Sequence, residues 1–236
     1  PCPCLSGTDR QGQGILIPLD DAAAGAPSHS IHLKPLAEDA LSLPVRTGKA
    51  RVIGIEPASL VTKSLVREVK TDDAGCFQSA LNPGLTKIAV IERHKRTGKL
   101  GIGILEGYGL TGGAIATTIS HDSHNIVVAG DNDPDMLLAV RELADMGGGI
   151  VSVHGGSIRR LPLPIAGLMT SADPQEVNAV LHDMLVAARA ELGIPEDVEP
   201  FMTLSFMALP VIPELKLTAR GLFNVNTFSF VGVEAD

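Results

Sequence analysis

Short runs of alternating apolar and polar residues, broken by Gly and Pro, fill the middle of the chain, and two stretches switch to a helical period. KARVIGIE (49–56) and LVTKSLVREVK (60–70) mix β-branched residues with charges at strand-like alternation on either side of Pro57, which predicts a small sheet. TKIAVIERH (86–94) and KLGIGILEGY (99–108) flank KRTG, whose Gly98 can take the positive φ of a tight turn, so a β-hairpin is expected. AIATTIS (114–120) and NIVVAG (125–130) are two further strands with HDSH between them. GIVSVHGGSIRRLPL (149–163) reads as a strand, a His154-Gly155-Gly156 turn and a second strand.

The helical period appears first in DNDPDMLLAVRELADMGGG. Asp131 or Asp133 is the expected N-cap, Pro134 stands in the first turn, and Met136, Leu137, Val140, Leu143 and Ala144 form a stripe before a glycine stop. SADPQEVNAVLHDMLVAARAELG (171–193) repeats that grammar, with Asp173 as cap, Pro174 next, Val177, Val180, Leu181, Met184 and Leu185 as the stripe, and Gly193 at the end. PLPIAGLM (162–169) and the 200–223 segment carry prolines spaced so that neither is one regular helix; both are expected to wrap or line something, with Met202, Phe206 and Met207 in the core. The predicted class is α+β, a β-rich layer fold with two main helices on a sheet, without the eight alternating units of a complete barrel.

Composition sharpens this picture. At 236 residues the chain can bury a large core, and with 44% apolar residues but 3% aromatics that core is built from aliphatic side chains. A net charge of −8 argues against nucleic acid or an anionic membrane surface as partner. FMTLSFMALPVIPELKL (201–217) is broken by Pro210, Pro213, Glu214 and Lys216, short of the ~20 apolar residues of a membrane helix. Three cysteines without a framework of spacings point to a reducing, cytoplasmic setting, and the lone CxC of Cys2 and Cys4 is assigned no metal. Residues 1–28 are rich in Gly, Pro, Ser and Ala and begin with Pro1, so they are expected to be an extended or unordered lead-in, of foreign origin or left by processing.

The densest chemistry is His121-Asp122-Ser123-His124-Asn125. A strand would send His121 and Ser123 to one face and Asp122 and His124 to the other, whereas a turn would let them converge as carboxylate-oriented imidazoles suited to proton transfer or to gripping a heterocycle edge. The plainer reading is a turn whose Asp, Ser and Asn satisfy backbone groups. The two histidines lack the i, i+4 register of a zinc-binding helix, and His29 with His32 is best read as an ordinary strand. EGYGLTGGA (106–114) fits no phosphate-binding loop; its glycines are expected to permit a tight crossover or a close approach to a ligand. Glu92, Arg93 and His94 end a strand beside the hairpin; a solvated charge cluster is the favoured reading and a site the alternative.

KIAVIERHKRTGKLGIGILEGYGLTGGAIATTISHDSHNIVVAGDNDPDM, then GGGIVSVHGG, LPLPIAGLM and PFMTLSFMALPVIPELKLTARGLF, resemble in order the carboxyl-terminal part of the adenine deaminases, metal-dependent amidohydrolases, over roughly residues 29–236. The resemblance implies hydrolysis of adenine to hypoxanthine and ammonia by hydroxide bound to divalent metal (manganese, iron or zinc) at the mouth of a TIM-like barrel. It implies the end of a small β-sandwich over 29–72 and an α+β domain over 73–236. The family's HxH pair occurs nowhere in this sequence, so the metal ligands and barrel are expected upstream, with no metal held by this chain alone. Residues 121–125 become substrate-pocket candidates, and apolar surface left where a barrel packs implies homo-oligomers. The alternative is a non-catalytic purine-binding or oligomerisation module.

Overall fold

The computed structural model describes residues 4–8, 14–18 and 30–235. Within the expected lead-in, β1 (Cys4–Thr8) and β2 (Gly14–Pro18) pair antiparallel, while the rest of residues 1–28, and His29, lie outside the described residues. From Lys49 onward the chain forms one eight-stranded sheet. Its strands are β3 (Lys49–Ile55), β4 (Thr62–Glu68), β5 (Leu85–Ile91), β6 (Leu100–Glu106), β7 (Gly113–Thr117), β8 (Ile126–Gly130), β9 (Gly149–His154) and β10 (Ser157–Pro162). Their order across the sheet is β10-β9-β7-β8-β5-β6-β3-β4, antiparallel except for the parallel β3–β6 pair. The β3–β4 pair, expected in the end of a separate sandwich, is hydrogen-bonded into this same sheet.

Period 2 divides the strands between two cores. Ile88 and Val90 of β5 and Val127 and Ala129 of β8 face one side; Ala89 and Ile91 of β5 and Ile126 and Val128 of β8 face the other. Both sides are covered, which is why the central strands read as nearly continuous apolar runs. The second face is closed by α1 (Asp133–Asp145) through Met136, Leu137, Val140 and Leu143, together with Leu41 from the incoming segment. The first is closed by α2 (Pro174–Ala190), by the short α3 (Pro200–Phe206) and by a small sheet of β11 (Leu215–Thr218), β12 (Gly221–Asn224) and β13 (Ser229–Phe230).

The two main helices therefore stand as expected, on opposite faces, with a correction at one cap. Asn132 caps α1, its side chain accepting the Asp135 N–H at 2.9 Å, while Asp131 accepts the N–H groups of Gly112 and Gly113 from the glycine-rich crossover. Asp173 caps α2 through the Gln175 N–H at 2.7 Å. Met184 is buried on α2, but Val177, Leu181 and Leu185 are only half-buried and Val180 is exposed. Gly155 and Gly156 both adopt positive φ (54° and 81°) in the two-residue turn that joins β9 and β10. The glycines of 106–114 serve packing within the protein: a Cβ on Gly113 would lie 1.9 Å from the Val153 carbonyl oxygen of β9.

Two positions on β6 admit the small sheet. Gly101 has no room for a side chain, because a Cβ there would stand 2.0 Å from the Thr218 carbonyl oxygen, and Gly103 packs under Leu222 and Leu217. The alternation Gly-Ile-Gly at 101–103 thus sends Ile102 to one face and bare backbone to the other, letting the β11–β12 hairpin sit directly on β6.

Candidate functional site

At one end of the large sheet the β7–β8 connection, residues 118–125, meets the β5–β6 loop, the segment 207–213 and the small sheet. The 121–123 stretch is a turn, so the strand alternative for SHDSHN falls away. Asp122, Ser123 and Asn125 line a cavity of about 780 Å³. Its apolar lining comes from the 208–211 segment, Ala219 and the rings of Phe223, Phe228 and Phe230, and Glu92, Lys99 and Arg220 also line it. Phe228 and Phe230 stand edge-on to Phe223, each with ring centroids 5.2 Å away, and the Arg220 guanidinium lies 4.6 Å over the Phe230 ring. Apolar walls with a few convergent polar groups are the usual make-up of a small-molecule site, and flat aromatic faces beside hydrogen-bonding groups suit a planar heterocycle.

The two histidines do something different from the other three candidates. Their rings meet edge to face at 5.8 Å, and His121 also packs on Phe206 at 4.5 Å, so they buttress the turn from the α3 side. Phe206 is half-buried and Met202 exposed, whereas Met207 alone of that trio is a full core residue. The Nδ1 of His124 faces the Ser120 N–H at 3.4 Å, which leaves the proton of the neutral ring on Nε2. Burial, then the neighbouring His121, Arg93 and His94, hold the His124 pKa below its ordinary value against the opposing pull of Asp122. His94 reaches across from the β5–β6 loop, its Nε2 2.8 Å from the Ser123 carbonyl oxygen.

The supposed charge cluster at 92–94 is a built feature. Burial would raise the Glu92 pKa, but hydrogen bonds from the Thr97 N–H and hydroxyl and from the His94 and Lys95 N–H groups outweigh it and hold the carboxylate at about 2. Arg93 is 1% exposed, which corrects its reading as a solvated charge. The signal was present in the sequence: 89, 91 and 93 continue one alternation, and Arg93 follows Ala89 and Ile91 inward.

Among the described residues no group of three or more His, Cys, Asp or Glu side chains could hold a metal ion. The donors of the polar turn do not fit one: the two imidazoles are set against each other and Phe206, and His94 is engaged with a carbonyl.

A family model described as the adenine deaminase C-terminal domain matches residues 59–229. The chain belongs to that family. An adenine deaminase of Nitratidesulfovibrio vulgaris is 56% identical over 220 residues, covering 93% of this chain and 38% of the relative. Adenine deaminase 2 of Carboxydothermus hydrogenoformans is 46% identical over 217 residues, covering 92% and 37%, and the adenine deaminase of Ligilactobacillus salivarius is 40% identical over 231 residues, covering 98% and 39%. The chain therefore spans well under half the length of the curated relatives it matches. The cavity between the polar turn and the aromatic wall lies inside the matched segment, since both its walls fall between residues 59 and 229 except for Phe230.

Proposed function

We propose that this chain is the carboxyl-terminal part of an enzyme that hydrolyses adenine to hypoxanthine and ammonia in purine metabolism, and that its share of the work is to hold the purine. The observation that carries the reading is an in-order match over 93% of the chain to adenine deaminases. On this reading the metal-dependent step belongs to a barrel in the rest of the protein, with a divalent cation, manganese, iron or zinc, bound there. The residues of this chain bind and orient. Adenine presents an amino donor and ring-nitrogen acceptors on one edge; the Asp122 carboxylate accepts from the amino group, Ser123 and Asn125 supply the remaining hydrogen bonds, and the Phe223 corner covers the apolar face. His121 and His124 hold the turn in shape.

In the longer protein, Asp122→Ala and Ser123→Ala are expected to lower kcat/KM for adenine by about 10-fold or more, as loss of hydrogen bonds to a buried ligand does, with thermal unfolding unchanged. Wild-type kcat/KM in both folded variants contradicts the assignment. Among the described residues no helix is long and apolar enough to cross a membrane. The proposal of a cytoplasmic setting rests on three cysteines without a framework of spacings.

A second reading, an oligomerisation module, draws on the exposed Met202, Val211, Phe228 and Phe230, which stand 56%, 66%, 76% and 43% open. Sedimentation separates the two readings: self-association of the longer protein that Phe228→Ser abolishes, without change in KM for adenine, supports the second.

A further inference from the structure

The Arg93 side chain is the largest of the fully buried ones, yet no carboxylate pairs with it among the described residues. An enclosed guanidinium is costly unless its donors are used. Here they go to oxygens of three separate segments. Nε donates to the His124 carbonyl, Nη1 to the Ser30 hydroxyl (2.9 Å) and carbonyl (3.3 Å), and Nη2 to the Ala166 carbonyl (3.0 Å). The Arg93 N–H in turn faces Asn125 Oδ1 at 3.4 Å.

Two of those carbonyls belong to residues in a backbone region that side chains other than glycine rarely adopt. His124 has φ +46° and Ala166 has φ +58°. Such conformations persist where surrounding groups over-determine them, and they gather at ligand sites. The room for the guanidinium is also built in: a Cβ on Gly167 would lie 2.9 Å from Arg93 Nη1. One charged fork thus fixes both the polar turn and the 164–168 loop from beneath.

We propose that Arg93 is a positioning residue for the substrate: by pinning the His124 and Ala166 carbonyls it sets where Asp122, Ser123 and Asn125 present themselves to the purine. The inference rests on the reading of the cavity given above. A rivet serving stability alone would leave substrate affinity untouched in whatever protein remains folded. A positioning residue would not, and Arg93 also acts on the charge of the turn. The groups facing His124 are His121, Asp122, His94 and Arg93; removing the cation eases protonation of the imidazole, which costs Nδ1 its acceptor role towards the Ser120 N–H and so loosens the turn, and the acid limb of the rate profile moves to higher pH.

The test is steady-state adenine deamination by the longer protein with Arg93→Met, Arg93→Lys and Ser30→Ala. Arg93→Met is expected to raise KM at least 10-fold with kcat within about 3-fold, and to shift the acid limb of kcat/KM upward. Arg93→Lys recovers part of the KM, because an ammonium reaches some of the carbonyls but lacks the planar fork. Wild-type KM and pH profile in folded Arg93→Met overturn the proposal. Where Arg93→Met does not fold, Ser30→Ala decides: a KM raised about 3-fold or more at unchanged melting temperature supports positioning, and an unchanged KM overturns it. Normal Arg93→Met beside impaired Asp122→Ala sinks the positioning role alone, while wild-type behaviour in both sinks the cavity reading with it.

Discussion

Glu92, Arg93 and Lys216 are buried or half-buried charges that composition alone does not advertise. Glu92 and Arg93 look like neighbours on a solvated loop, but one is wrapped by N–H donors and the other disappears beneath the polar turn. Lys216 is the third. It is fully buried with one partner, the Leu60 carbonyl at 2.8 Å, and burial pushes its pKa down to about 8. In the unfolded chain the amine keeps its ordinary value near 10.5, so between pH 8 and 10.5 the unfolded state binds more protons and this lysine makes stability rise with pH. Relative to Lys216→Met, the wild type should gain about 2–3 kcal/mol on going from pH 8 to 10.5. Denaturant unfolding of both proteins at the two pH values measures it; a constant difference would show that the amine is solvated. Ordinary composition reasoning missed these charges because it treats a charged residue near a proline or a loop as exposed. Of the three, Arg93 has a local sign of burial, since it continues the strand alternation of Ala89 and Ile91.

Whole elements were far more legible. The hairpin of β5 and β6, the strand pair β7 and β8, and both long helices follow from period alone, since each has several residues repeating one geometric instruction. What period could not decide was local competition among equivalent residues. Asp131, Asn132 and Asp133 can all cap a helix, and the choice of Asn132 is made by the distant crossover glycines, whose N–H groups claim Asp131. The polar turn itself was visible as a dense cluster, whereas its partners, the aromatic corner and the Ser30 and Ala166 carbonyls that Arg93 also holds, lie about 40 to 110 positions away in sequence and leave no local trace. The small sheet that brings that corner into place depends on bare backbone in β6. Gly101→Ala must displace the Thr218 backbone, so it is expected to destabilise the protein by at least about 2 kcal/mol and to weaken adenine binding. Gly103→Ala meets only side-chain methyls, at 3.3 Å and beyond, and should cost under about 1 kcal/mol. Equal melting temperatures for the two variants would show that the small sheet is free to move on β6.

At the scale of the molecule, one sheet covered on both faces brings a polar turn and an aromatic wall together at one end. The described residues line a cavity with polar groups and phenylalanine rings of the kind proposed here to take a flat, hydrogen-bonding ring, and among them no group of three or more His, Cys, Asp or Glu side chains could hold a metal. A chain that covers 93% of itself but 38% of a relative leaves most of that relative's length to other elements, and the proposed division of labour follows: binding surface here, hydrolytic centre elsewhere. The most direct test is ammonia release from adenine, with bound metal quantified in the same samples, by this chain alone and by the longer enzyme proposed to contain it. The account predicts release and stoichiometric metal from the longer protein and neither from the chain alone. Release by the chain alone at stoichiometric metal would contradict it, and would make His121, Asp122 and His124 the first candidates to test for a hydrolytic centre.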